Sequence, residues 1–122
     1  MKILFLDDSY ERHTMFRETW HEHDVSYVFT FLGAKEELQE KKFDMLFLDH
    51  DLGDEFEDGT MLSFWIRDAL PAAKLPKAIV IHSNNPVATM EMFNILSTLK
   101  GVNIITFPFS DKLKPSLFKG LK

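Results

Sequence analysis

The 122-residue sequence predicts an α/β domain built as a parallel sheet with helices on both faces. Three observations lead there. Short apolar runs alternate five times with longer amphipathic stretches, and the connections are short. Three of the runs end in polar clusters: Asp7-Asp8, Asp49-His50-Asp51 and His82-Ser83-Asn84-Asn85. No internal repeat breaks the alternation. The length suits one domain spanning residues 1–122 and is short for two.

Lys2–Asp7 (KILFLD) is apolar until its closing acid, the pattern of a strand buried on both faces. Ser9 is a candidate N-cap for a helix reaching about Glu22, with Phe16 and Trp20 one turn apart. Val25–Phe29 is β-branched and aromatic, hence a second strand. Ala34–Lys41 reads as a helix, and Asp44–Asp49 repeats the form of the first strand. After an acidic, glycine-containing loop, Met61–Leu70 is a largely apolar helix. Pro71 and Pro76 precede a fourth strand, Ala78–His82. Asn85-Pro86 has the form of an N-cap and first helical residue, opening a helix to about Lys100 that Gly101 stops. Val102–Phe107 is the fifth strand, and Pro115–Leu121 can make a last short helix.

Composition removes several classes. Hydrophobic residues at 45% and charged residues at 27% exclude a disordered or low-complexity chain. The 12 phenylalanines supply a dense aromatic core. With no cysteine, disulfide scaffolds and thiolate zinc sites are excluded. No apolar run approaches the ~20 residues of a membrane span. The opening MKILFLDD meets acids too early for a signal-peptide core, so a cytoplasmic location is expected. Net charge is -5, but unevenly distributed: residues 1–60 hold 16 acids against 6 Lys or Arg, and residues 61–122 hold 3 against 8. An acidic first half argues against binding an extended nucleic-acid duplex.

Asp49–Asp58 alone contains six acids. It is no EF-hand, because its sixth position is Asp54 instead of Gly and its twelfth is Thr60 instead of Glu. In a parallel sheet, ligands sit beyond the carboxyl ends of the strands, where the polar clusters fall. Asp7, Asp8 and Asp49 would repel one another there unless a cation neutralised them, and hard oxygen ligands suit Mg²⁺ or Mn²⁺. His50 and His82 form a possible acid–base pair, with Asp51 an alternative to His50. Adjacent strand residues point to opposite faces, so His82 and Ser83 enter one site only if the strand has ended, which favours His50. His13, His21 and His23 read as solvent-facing residues without a role.

These residues resemble the receiver domain of two-component response regulators over nearly the whole chain. Asp7-Asp8 match that family's metal-binding acids, Asp49 its phospho-accepting aspartate, Asp58-Gly59 its Asp-Gly, Ser83 its hydroxyl residue and Pro108-Phe109 the end of its Lys-Pro-Phe motif. The resemblance implies a three-layer receiver (flavodoxin-like) fold with strand order 2-1-3-4-5, and a cis Phe107-Pro108 bond. The family's lysine is Phe107 here, so phosphorylation-driven switching is not expected. L48-D-H-D-L-G53, I81-H-S-N-N-P86 and D7-D-S-Y-E-R12 are closer to the divergent cyclic-phosphate-processing receiver domains. That likeness implies Asp7, Asp8 and Asp49 for Mg²⁺ or Mn²⁺, His50, His82 and Asp51 for proton transfer, and Ser83 and Asn84 for phosphate contacts. The implied function is a metal-dependent phosphoesterase acting on a cyclic phosphate of a nucleotide or RNA end. A phosphoacceptor receiver and a non-catalytic interaction module are the alternatives. The expected partner is a small phosphorylated substrate.

Overall fold

The computed structural model describes residues 1–54 and 56–120. Five parallel strands lie in the order β2-β1-β3-β4-β5, where β1 is Lys2–Leu6, β2 Asp24–Val28, β3 Met45–Leu48, β4 Ala78–Ile81 and β5 Asn103–Thr106. Helices α1 (Tyr10–Thr19), α2 (Phe31–Glu40), α3 (Gly59–Ala69) and α4 (Pro86–Leu96) connect them, with single 3₁₀ turns at Ala72–Lys74 and Pro115–Phe118. This is the order and layering that the resemblance to receiver domains implies.

The three middle strands are buried almost throughout, which is why they read as unbroken apolar runs, whereas β2 and β5 at the edges are half-exposed. Alternation along the strands separates two cores. Leu4, Leu46, Leu48 and Ile79 face Leu38 of α2, Leu62 and Ile66 of α3, and Met92 of α4. Ile3, Phe5, Phe47 and Val80 face Phe16 of α1 together with Trp20, Leu113 and Phe118. On that second face Phe5 and Phe16 stack with centroids 4.1 Å apart, and Trp20 stacks on Phe16 at 5.0 Å.

Several boundaries differ from the sequence expectation. Helix α1 ends at Thr19 instead of Glu22, because Trp20 turns into the core and donates from Nε1 to the Leu113 carbonyl over 3.0 Å. Helix α2 begins three residues early, since the Thr30 hydroxyl caps the Gly33 N–H. Helix α3 begins at Gly59, capped by the Asp58 carboxylate through the Met61 N–H at 2.9 Å. Helix α4 ends at Leu96, and the chain reaches Gly101 (φ 77°) through a further turn. The expected last helix is only the Pro115–Phe118 turn, and Leu121 lies outside the described residues. The expected cis Phe107-Pro108 bond is a correction: no cis peptide occurs among the described residues. The Phe107 and Phe109 N–H groups bond to Ile81 and His82 carbonyls at 2.9 and 3.2 Å, so the chain runs on beside β4 through an ordinary trans bond. Among the described residues no helix is long and apolar enough to cross a membrane.

Candidate active site

The ladder hydrogen bonds continue one residue past the strand ends. The Asp7 N–H reaches the Val28 carbonyl at 3.2 Å, and the His82 N–H reaches the Leu48 carbonyl at 3.0 Å. Period-two alternation therefore continues as well. Phe5 and Phe47 are paired in register, as are Phe47 and Val80, and the next rung on that face is Asp7, Asp49 and His82. An apolar core is thus topped by a polar rung. One potential ligand atom from each of the three lies within 4.8 Å of the others, and all three residues are buried.

Asp7 is the most heavily bonded. Its Oδ1 accepts from the Ser9 N–H at 2.8 Å, and its Oδ2 accepts from His82 Nε2 at 3.0 Å and Arg12 Nη1 at 3.4 Å. Burial works to raise its pKa, but His82, the Ser9 N–H and Arg12 outweigh it, and the carboxyl is held below the usual range. Asp49 has less help. Its Oδ1 accepts from the His50 N–H at 2.9 Å, while its buried Oδ2 has no hydrogen-bond partner. Burial and then the neighbouring Asp7 push this carboxyl up to about 7, against the pull of the His50 N–H and Arg12. Asp8 stands at the exposed rim, raised first by partial desolvation and then by Asp7.

The histidines separate clearly. His82 is 0% exposed, and burial lowers its pKa, favouring a neutral ring whose proton sits on Nε2 toward Asp7. The ring stacks on Phe5 at 5.2 Å. His50 points to the opposite face, with Nε2 3.3 Å from Asp58 Oδ2 and Nδ1 3.1 Å from Asp51 Oδ1. His13 corrects the expectation of a solvent-facing residue: it is buried, its Nε2 lies 2.7 Å from the Asp7 carbonyl, and it stacks on Phe29 at 3.8 Å. Burial depresses its pKa too. His21 is exposed as expected, and His23 is half-buried, its Nδ1 3.1 Å from the N-terminal amine.

Above the polar rung lies a cavity of about 410 Å³ lined by Asp8, Ser9, Arg12, Asp49, Asp51, Asn84 and Asn85. Asn84 also borders an apolar cavity of about 340 Å³, which Ser83 lines as well. Of the proposed phosphate contacts, Asn84 therefore lines the acidic cavity and Ser83 its neighbour. Arg12 is assigned no role by the sequence pattern alone. It lies 3.4 Å from Asp7 Oδ2 and 3.8 Å from Asp49 Oδ2, with its guanidinium carbon 5.5 Å from the Phe109 ring centroid. Its place in D7-D-S-Y-E-R12, one helical turn after the Ser9 cap, is the only sequence signal for it.

The buried, unpartnered Asp49 Oδ2 beside the Asp7 carboxylate fits a hard divalent ion, whose charge would satisfy both oxygens. Residues 2–98 match the model of the cyclic-phosphate processing receiver domain. No curated protein matches the chain. Among solved structures, the chain is similar to a CheY-like response regulator receiver domain from Methylobacillus flagellatus. The TM-score is 0.70 at 19% identity, over 100% of this chain and 98% of that one. It is also similar to a two-component response regulator from Clostridium difficile, at TM-score 0.70, 18% identity and coverage of 98% and 93%. The Mn²⁺-bound form of response regulator Rcp1 is a third, at TM-score 0.67, 20% identity and coverage of 98% and 87%. At these identities the likeness is one of fold.

Proposed function

The chain belongs to the cyclic-phosphate processing receiver domain family, and from that footing we propose that it is a divalent-metal-dependent phosphoesterase opening a cyclic phosphate of a nucleotide or RNA end. The observation that carries the metal part is the unpartnered Asp49 Oδ2, buried beside Asp7 at the floor of an open polar cavity. Asp7 and Asp49 would hold Mg²⁺ or Mn²⁺, with Asp8 at the rim. Once bound, the ion offsets the charge that develops on the phosphoryl oxygens.

The chain's own groups divide the remaining work. Water attacks phosphorus, one P–O bond forms, and the ring P–O bond breaks; the alkoxide stays tethered to the product and is protonated at the open mouth. Asp51, which lines the cavity and is 75% exposed, takes the proton from the attacking water, while His50 at 3.1 Å fixes its orientation. His82, buried against Asp7, acts in this reading by holding Asp7 in place, as an outer-sphere histidine–carboxylate contact does. Asn84 contacts a phosphoryl oxygen. The Ser83 hydroxyl, in the adjoining cavity, accepts from the Asn85 N–H at 3.1 Å and so steadies the Asn84-Asn85 segment that lines the acidic cavity.

Incubation with 2′,3′- and 3′,5′-cyclic nucleotides plus Mg²⁺ or Mn²⁺, followed by ³¹P NMR, tests this function. Conversion to monoesters is expected. No conversion, together with a stable aspartyl phosphate from a small phosphodonor, would replace it with the phosphoacceptor alternative.

A further inference from the structure

We infer that Arg12 is the site's anion clamp: a guanidinium 3.4 and 3.8 Å from the Asp7 and Asp49 carboxylates that turns to the substrate's phosphoryl oxygens once a divalent ion occupies those carboxylates. The inference rests on the metal-dependent reading of this site and adds the group that binds the anion.

Its basis is a mismatch between what Arg12 does and what a guanidinium can do. Among the described residues lining the acidic cavity, Arg12 is the only cation. Its two carboxylate contacts, 3.4 and 3.8 Å, both come from Nη1 and are longer than the 2.7–2.9 Å of a well-formed charge-assisted hydrogen bond. Nε and Nη2 make no hydrogen bond among the described residues. Most of a planar donor fork suited to bidentate phosphate binding is thus not committed within the protein.

The side chain also has room to move. Its backbone is fixed by the Ser9 cap at 3.3 Å, but the side chain is 30% exposed at the cavity wall. Phe109 offers the guanidinium an apolar platform at 5.5 Å, whichever anion it faces. Metal entry takes both of its counter-ions and places a like charge nearby, so the favourable partner left is an anion in the cavity.

The test reads binding alone. Mn²⁺ is titrated into wild type, Arg12→Gln and Arg12→Lys, and inorganic phosphate is then titrated into each Mn²⁺-loaded protein. Losing a competing cation, Arg12→Gln should bind Mn²⁺ about threefold more tightly. Its Mn²⁺-loaded form should bind phosphate at least about tenfold more weakly, with Arg12→Lys in between. Weaker or unchanged Mn²⁺ binding in Arg12→Gln, or phosphate affinity within twofold of wild type, would overturn the inference. Phosphate capture through Arg12 in a protein that opens no cyclic phosphate removes the proposed reaction but leaves Arg12 its role. Full turnover by Arg12→Gln does the reverse.

Discussion

His82 donates from Nε2 to Asp7 Oδ2 over 3.0 Å, and neither side chain reaches solvent. The bond joins the ends of β4 and β1, which are not neighbours in the sheet because β3 lies between them. It therefore bridges over Asp49 and fixes the spacing of the floor. Removing it leaves a buried carboxylate short of a donor and a cavity beside Phe5. His82→Ala should cost about 2–4 kcal/mol of stability and weaken Mn²⁺ binding with it. Denaturant titration with and without metal checks both.

His50 gives the opposite pattern. Its partners Asp51 and Asp58 are 75% and 25% exposed, and such pairs contribute about 0–1 kcal/mol. His50→Ala should keep its melting temperature within a few degrees of wild type. Cyclic-phosphate opening should slow by roughly 10²–10⁴-fold if the His50–Asp51 pair handles the proton. Turnover and melting on one preparation decide it.

Metal should stabilise the fold by mass action. At a hundredfold excess over Kd, Mg²⁺ or Mn²⁺ should add about 2.7 kcal/mol, or roughly 10 °C in Tm for a domain of this size. Asp49→Ala should abolish the shift, because it removes the buried oxygen that has no hydrogen-bond partner. A flat melting temperature across millimolar metal would remove the ion from the account.

The Asp49 carboxyl, pushed up to about 7 by burial and Asp7, makes both metal binding and stability depend on pH. Metal must displace its proton, so affinity should rise nearly tenfold per pH unit up to about pH 7 and then level off. In the metal-free protein, the folded state keeps a proton that the unfolded chain releases from about pH 4 upward. Asp49 thus costs stability as pH rises from about 4 to 7. Asp49→Asn should stabilise the metal-free protein at about pH 8, on the order of 2 kcal/mol, and not at about pH 4. Calorimetry in buffers of different ionisation enthalpy, with denaturant titration at the two pH values, measures each effect.

Gly59 is a close approach between α3 and the site. A Cβ there would collide with the Asp49 carbonyl oxygen and lie 2.8 Å from His50 Cα. Backbone cannot yield as a side-chain tip can, so Gly59→Ala should cost about 2–3 kcal/mol and displace Asp49. Metal affinity should fall although no ligand has been touched, which a metal titration of the folded variant will show.

The sequence revealed the sheet because Lys2–Leu6, Met45–Leu48 and Ala78–Ile81 are buried on both faces and carry little else but apolar side chains. Helix ends were less legible: Trp20 leaves α1 to reach Leu113, 93 residues away in the chain, which no local pattern encodes. The acids of the site were legible for the same reason as the sheet, since each ends a buried strand. Arg12 was not, because a long cation on a first helical turn is normally solvated, and only the meeting of β1 and β3 supplies its two carboxylates. His13 was hidden likewise, its burial depending on the Asp7 carbonyl and the Phe29 ring. Carrying the two-residue alternation past each strand end would have placed His82 with Asp7 and Asp49, and His50 on the other side.

The two cores have one tryptophan each. Trp20 is fully buried among Phe16, Phe47 and Phe118 on the α1 face, and Trp65 is half-buried against the opposite core with Lys35 Nζ 5.5 Å from its ring. The protein therefore carries two natural fluorophores that report on different layers. Trp20→Phe and Trp65→Phe variants turn each layer into a separate optical signal, so stopped-flow traces from the pair show whether the two sides of the sheet assemble in one step or in succession.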